Sequence, residues 1–162
     1  MESEALEPHR RQSLFVPTEF EVPQILETAQ FRLRMLSVED VDKDYDAVIS
    51  SAEHLRNAFP QWDGWPRAGF TLAENREDLE RHQNEFERRE GFTYTVVSLD
   101  ESTVLGCVYI YPSKAERAHA EIFMWVRKSA YEEGLDPVLF QTVNDWLKDK
   151  WPFKTVIYPG RE

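Results

Sequence analysis

Apolar and polar residues follow one another along most of the chain in short runs, which predicts strands separated by amphipathic helices. The run from Phe31 to Leu36 alternates apolar and charged side chains, as in a strand with one exposed face. Three further strands are predicted over residues 92–99, 104–111 and 120–126. The run 104–111 is apolar on both faces, so we expect its strand to be central in the sheet and covered on both sides.

Three helices and a last strand complete the pattern. Ser37 is a predicted N-cap, and Thr71 with Glu74 forms a predicted capping box for the second helix. Asp136 and Pro137 suit the N-cap and first turn of a third helix. Residues 154–158 predict a final strand. The order β-α-α-β-β-β-α-β indicates a mixed α/β (α+β) fold, with a central, mostly antiparallel sheet and helices on both faces.

The first 29 residues differ from the rest of the chain. They are rich in glutamate and contain Pro8, Pro17 and Pro23, which exclude a long helix. Several apolar residues in this stretch could still dock on the fold as an extended segment. We therefore predict an acidic, proline-containing N-terminal arm over residues 1–29 and a single domain over residues 30–162.

Charge and composition exclude several classes of function. The 162 residues include 30 acidic and 19 basic side chains, a formal net charge of −11, which disfavours binding to nucleic acid or to an anionic membrane. There is neither an apolar run of membrane-spanning length nor the apolar core of a signal peptide. The single cysteine, Cys107, and four scattered histidines predict no disulfide and no metal site. These features favour a soluble cytoplasmic protein.

The order of elements and several local motifs resemble the GNAT superfamily of N-acetyltransferases over residues 31–158. The motifs are Leu-Gly-Cys-Val-Tyr-Ile at 105–110, Ala-Glu-Ile-Phe-Met-Trp-Val-Arg at 120–127, Trp62 with Trp65-Pro66, Thr71-Leu72 with Glu74-Asn75, and Trp-Pro-Phe at 151–153. The last three of these motifs resemble a compact, little-characterised bacterial branch of that superfamily.

The resemblance implies a GNAT-like fold in which strand 120–126 diverges from the last strand and acetyl-CoA binds between them. The backbones of Met124, Trp125 and Val126 would hold the pantetheine arm, and Gly134 would lie in the loop that binds the pyrophosphate. An amine of a small molecule or peptide would attack the thioester, with Glu121 as the general base. Alternatively, Glu121 is structural and caps the start of its strand or pairs with Arg127.

The resemblance also places Trp62, Trp65 and Phe70 near the acceptor pocket. Aromatic side chains in a loop rich in proline and glycine can line a slot for an apolar or cationic ligand. The alternative is that they only fix this loop to the core. Both interpretations remain open at the level of the sequence.

Two departures from the superfamily pattern concern the acetyl-CoA site and the C-terminus. The loop Tyr-Glu-Glu-Gly-Leu-Asp at 131–136 keeps only Gly134 of the usual glycine-rich pattern. Glu132 and Glu133 place negative charge beside the expected phosphates, and Asp136 is expected to cap the helix amides itself. The sequence ends at Glu162, so we expect a fold truncated after the fifth strand, whose exposed edge could form a homodimer.

Three functions are compatible with these residues. The first is an N-acyltransferase that uses acetyl-CoA and Glu121 and favours a cationic acceptor because of its acidic surface. The second is a non-catalytic GNAT relative that binds a small ligand or a partner chain in the aromatic cleft. The third is a dimeric interaction module that pairs through its last strand.

Overall fold

The computed structural model describes residues 14–59 and 62–161. The first 13 residues of the predicted N-terminal arm, two residues of the aromatic loop (Pro60 and Gln61) and Glu162 lie outside the described residues.

Six strands form one sheet in which the strand order follows the order along the chain. They are β1 (Ile25–Glu27), β2 (Arg32–Met35), β3 (Phe92–Val97), β4 (Val104–Pro112), β5 (Ala120–Val126) and β6 (Val156–Ile157). The first four neighbouring pairs are antiparallel, and β5 and β6 are parallel. The predicted mixed α/β fold with a mostly antiparallel sheet is therefore confirmed.

Five helices pack against this sheet. They are α1 (Val41–Ile49), α2 (Ala52–Ala58), α3 (Leu72–Glu87), α4 (Lys128–Glu132) and α5 (Leu135–Lys150), and a 3₁₀ turn over Val38–Asp40 precedes α1. Ser37 accepts a hydrogen bond from the Glu39 amide at the start of that turn. The capping box predicted for α3 is present, since Thr71 and Glu74 exchange side-chain-to-backbone hydrogen bonds.

The sheet separates two hydrophobic clusters. One face carries Cys107, Tyr109 and Trp125, which pack with buried side chains of α1, α2 and α3. The other face carries Val108, Ile110 and Ile122, which pack against α5 and the Trp151 region. Because β4 is buried on both faces, its apolar sequence matches its central position, as predicted.

Residues 14–29 belong to the packed part of the structure. Phe15 and Val16 are buried in the same cluster as α5, and β1 adds a strand beside β2 that the hydrophobic pattern did not reveal. The last strand is shorter than predicted, two residues rather than five, although its position at the edge beside β5 agrees with the sheet order.

The parallel strands β5 and β6 diverge almost as soon as they pair. Their register includes only Ala120 with Val156 and Glu121 with Ile157. Beyond Glu121, β5 continues for five residues with β4 on one side and no strand of the described residues on the other. This divergence opens a wedge at the carboxyl end of β5, as the resemblance to GNAT proteins implies.

Candidate active site

A large cavity lies between the sheet and the helices of the first hydrophobic cluster. The register of β4 and β5 pairs Tyr109 with Phe123 and Tyr111 with Glu121, so their side chains share one face of the sheet. The cavity, of about 830 Å³, is bounded by this face and by residues of α1 and α3. We call it the acceptor cavity. Its buried lining includes Asp44, Asn75, Cys107, Tyr109, Glu121 and Phe123.

Glu121 lies at the wall of the acceptor cavity and is 9% exposed. One of its carboxylate oxygens accepts a hydrogen bond of 3.3 Å from the backbone amide of Lys114, and this bond fixes the carboxyl group on the β4–β5 connection. The alternative, structural role of Glu121 includes an ion pair with Arg127. In the structure Arg127 instead donates to Asp46 on α1 at 2.9 Å. Glu121 is thus a buried carboxylate that faces a cavity and lacks that ion pair.

Asp44 on α1 is a second buried carboxyl group in the acceptor cavity, and the sequence analysis missed it. The amide of Asn75 on α3 donates a 2.9 Å hydrogen bond to it. Burial raises the pKa of Asp44 to about 6; the Asn75 bond opposes this shift, and the charges of Asp40 and Asp78 add to it. Asp44 lies on the helix face that also carries Val41 and Val48, and a charged residue on that apolar face was the available signal.

His82, Tyr111 and Glu85 form a hydrogen-bonded group beside the same cavity. The Tyr111 hydroxyl donates to Glu85 Oε1 at 2.7 Å, so its oxygen is free to accept from His82 Nδ1, 3.0 Å away. This pattern favours the His82 tautomer with the proton on Nδ1. Burial and the bond to Glu85 raise the pKa of Tyr111, which therefore stays neutral. The group orients His82 and Tyr111 at the cavity wall.

The three aromatic residues singled out in the loop before α3 lie at different depths. Trp62 and Trp65 line the acceptor cavity, and Trp62 also contacts Tyr109 and Phe123 of the sheet. Phe70 is buried behind Trp65, and its carbonyl accepts a hydrogen bond from Tyr45. Phe70 therefore supports the wall of the cavity, whereas the two tryptophans form its surface.

A second, smaller cavity of about 420 Å³ follows the wedge between β5 and β6. Met124, Trp125 and Val126 all line it, as do residues of α2 and the segment that follows β6. We call it the donor cleft. Phe123 and Pro159 line both cavities, so the acceptor cavity and the donor cleft are adjacent at these two residues.

The start of α5 lies at the far end of the donor cleft. Gly134 is its N-cap with φ of 90°, a left-handed conformation that favours glycine, and no side chain caps the helix. The prediction that Asp136 caps these amides is wrong. The helix begins two residues earlier than predicted, so the Asp136 carboxylate lies within its first turn, where it accepts two 2.8 Å hydrogen bonds from Arg161, 25 residues away.

Arg161 also contacts the strand that bounds the donor cleft. Its guanidinium donates to the carbonyl oxygen of Met124 at 3.1 Å while it pairs with Asp136. Glu132 and Glu133 are exposed, whereas Arg127 is directed to α1 through Asp46. Arg161 is therefore a cation beside the start of α5, and sequence reasoning missed it because its partner Asp136 is 25 residues away along the chain.

Over residues 14–59 and 62–161, no group of three or more His, Cys, Asp or Glu side chains is arranged to hold a metal ion. Within the same residues, no helix combines the length and apolar character needed to cross a membrane. Cys107 is buried, and burial raises the pKa of its thiol well above the ordinary value.

Comparison with known proteins identifies the fold. No family model and no curated protein sequence matches the chain. Among solved structures, the ribosomal-protein-S5-alanine acetyltransferase of Vibrio fischeri is 16% identical with a TM-score of 0.61, over 78% of this chain and 67% of that one.

Two further matches have bound cofactors. The ribosomal-protein α-N-acetyltransferase RimL in complex with coenzyme A is 16% identical, with a TM-score of 0.60 over 75% of this chain and 67% of that one. The microcin C7 self-immunity acetyltransferase MccE in complex with acetyl-CoA and AMP is 12% identical, with a TM-score of 0.62 over 79% and 67%. At these identities the likeness concerns the fold, and the chain has the fold of the GNAT N-acetyltransferases.

Proposed function

We propose that this protein is an N-acetyltransferase that transfers the acetyl group of acetyl-CoA to an amine. The observation that carries the proposal is that two cavities lie side by side and share Phe123 and Pro159 in their linings. One cavity follows the wedge between two diverging parallel strands, and the other contains a buried carboxylate, Glu121. An acyl donor and an amine in these cavities would bring their reactive groups together.

The donor cleft fits the pantetheine arm of acetyl-CoA. Beyond Glu121, the backbone of β5 faces the cleft without a strand partner, so its polar groups can bond an extended chain in the manner of an added strand. The backbones of Met124, Trp125 and Val126 are the groups proposed for this role. The uncapped start of α5 at Gly134, with Arg161 beside it, would receive the diphosphate.

The acceptor must lose a proton to become a nucleophile, because an aliphatic amine is mostly protonated near neutral pH. Glu121 is proposed to accept that proton within the acceptor cavity, directly or through one water molecule. Acetyl-CoA supplies an activated thioester. The neutral nitrogen attacks its carbonyl carbon, the carbon–sulfur bond breaks, and coenzyme A leaves as the thiol when its sulfur takes up the second proton released by the acylated nitrogen. Trp62 and Trp65 would hold the apolar part of the acceptor and exclude water.

Calorimetric titration with acetyl-CoA, followed by an acetylation assay on a panel of amines, tests the proposal. We expect saturable binding and CoA-dependent acetylation of at least one amine. Glu121→Gln should lower kcat by about 10²- to 10⁴-fold, the usual contribution of a general base. Glu116→Gln, in the exposed β4–β5 connection, is the matched control and should retain full activity.

The outcomes separate the proposed activity from the alternatives considered for this fold. Absence of heat up to millimolar acetyl-CoA would contradict the proposal. Binding of acetyl-CoA with normal activity in Glu121→Gln would retain the transferase and remove Glu121 from its mechanism.

A further inference from the structure

We propose that the acceptor carries a second cationic group besides the amine that is acetylated, and that Asp44 binds this group in the acceptor cavity. The inference rests on the proposed acetyltransferase activity and specifies its substrate class. The class includes diamines and other molecules in which a cation and a primary amine are joined by an apolar spacer.

Asp44 is buried and yet faces a cavity. Asp44 is 4% exposed and lines the acceptor cavity between α1 and α3. Among the described residues, its one hydrogen-bond partner is the Asn75 amide, which occupies Oδ2. A buried carboxylate with a single neutral partner is unfavourable unless a positive charge approaches it.

The charged groups around Asp44 do not supply that positive charge. Asp40 and Asp78 both add negative charge at its position. The neighbouring cations are committed elsewhere, since Arg34 pairs with Asp40 and Arg81 pairs with Asp78. Arg81 and Lys114 belong to the cavity lining but are exposed. Among the described residues, the buried lining of the cavity therefore contains the carboxyl groups of Asp44 and Glu121 and no lysine or arginine, which suits a cationic ligand.

Asp44 and Glu121 lie near different parts of the sheet. Asp44 interacts electrostatically with Cys107 and Tyr109 on β4, whereas Glu121 is opposite Tyr111 on the same strand. Residues two apart on a strand are separated by about 7 Å, so the strand positions nearest to the two carboxyl groups are offset by roughly 7–13 Å along the sheet. The two carboxyl groups therefore lie near different ends of the cavity wall, as a ligand with one nitrogen at each end requires.

The wall between the two carboxylates is apolar and aromatic. Tyr109 and Phe123 lie on the sheet side, and Trp62 and Trp65 close the cavity from the loop before α3. A methylene spacer would contact these rings, and a cation near their faces would gain a further electrostatic attraction. The cavity therefore matches a bifunctional amine in charge, spacing and polarity.

The test compares linear diamines of four to eight carbons with linear monoamines of the same length. Wild-type protein should acetylate the best diamine with a kcat/KM at least tenfold above that of the matched monoamine, mainly through a lower KM. In Asp44→Asn, which keeps the size of the side chain, the KM for the diamine should rise at least tenfold, and the ratio of diamine to monoamine should approach one. Asp42→Asn, exposed on the same helix, should retain the wild-type ratio.

A binding measurement separates failure of this inference from failure of the proposed activity. Each diamine and monoamine is titrated calorimetrically into the protein without acetyl-CoA, for the wild type and for both variants. Equal acetylation of diamines and monoamines would overturn the inference while the activity stands. If no amine is acetylated, tighter diamine binding that Asp44→Asn abolishes would still support it, and equal binding in all variants would overturn it.

Discussion

At the scale of single residues, the burial of Asp44 lowers the stability of the folded state when its carboxyl group is ionised. The proposed binding of a cationic group gives this unfavourable burial a function. Its pKa, raised to about 6 by burial, exceeds the ordinary value of an aspartate by about two units. The folded state therefore favours the protonated carboxyl, and ionisation at neutral pH opposes folding. Two pKa units correspond to about 3 kcal/mol when the carboxyl is fully ionised.

Asp44→Asn should therefore stabilise the fold in a pH-dependent way. Because the folded-state pKa is raised, the wild type loses stability relative to the variant as the pH rises from about 4 through 6. We expect the free energy of unfolding of Asp44→Asn to exceed that of the wild type by about 2–3 kcal/mol at pH 8, and by little at pH 4. Urea unfolding at both pH values, with Asp42→Asn as control, measures the difference; a pH-independent difference would contradict the assignment.

The positions of single residues were predictable only where local sequence defines them. Glu121 was singled out through its place in a strand motif and lines a cavity, and its catalytic role stays a prediction. The environment of Asp44 is formed by Asn75, 31 residues away, and by the strand opposite it. The sequence around Asp44 alone therefore could not show that this carboxyl group is buried beside a cavity. Arg161 was missed for the same reason, since its partner Asp136 is distant along the chain.

At the scale of elements, the start of α5 bears on how the proposed diphosphate would bind in the donor cleft. Asp136 places a carboxylate there, and Arg161 neutralises it with two hydrogen bonds. Negative charge near a helix N-terminus competes with a bound phosphate for the same amides and the same cation. If acetyl-CoA binds as proposed, the pair would therefore hold Arg161 away from its diphosphate.

Asp136→Asn should tighten the binding of coenzyme A by about three- to tenfold, because it releases Arg161 and removes the competing charge. Arg161→Ala should weaken the binding by a similar factor, because Asp136 is then unpaired. Calorimetric titration with coenzyme A measures both effects, and pantetheine, which lacks the diphosphate, is the control ligand. Equal changes for both ligands would show that the start of α5 is not the phosphate site.

The elements themselves were predicted unevenly. The capping box of α3 was found because its two members are three residues apart, and such local hydrogen bonds are encoded in short motifs. The cap of α5 was mistaken because Gly134 adopts a left-handed conformation and begins the helix earlier. The divergence of β5 and β6 follows from tertiary packing, so the strand patterns alone did not contain it.

At the scale of the whole molecule, the segment before β1 closes one side of the fold. Phe15 stacks between Phe92 of β3 and Phe153, with ring centroids 5.8 Å and 5.0 Å away. His119 Nε2 also lies 3.1 Å from the Phe15 carbonyl oxygen. These contacts link the N-terminal segment, the centre of the sheet and the turn before β6.

Phe15→Ala should destabilise the protein by about 3 kcal/mol, because it removes a buried ring from the junction of three segments. Leu14→Ala is the matched control, since Leu14 is 57% exposed and should change stability by less than about 0.5 kcal/mol. Urea unfolding followed by tryptophan fluorescence measures both variants. Equal effects of the two substitutions would show that the segment does not contribute to the core.

The overall architecture was predictable because alternation and helical periodicity report burial on a scale of a few residues. β4 was identified as central from its apolar character on both faces. The short strand β1 was missed because its three residues have no clear alternation and owe their conformation to pairing with β2.

The early separation of β5 from β6 gives one buried strand two different backbone environments, paired with a strand on both sides at its beginning and on one side only beyond Glu121. The carbonyl groups of a buried strand edge that lacks a neighbouring strand need another hydrogen-bond donor. At Met124 the guanidinium of Arg161 is that donor. A ligand whose own amide takes over this contact exchanges one hydrogen bond for another. The net enthalpy from that position should therefore be small, and selectivity for the ligand must arise at its two ends.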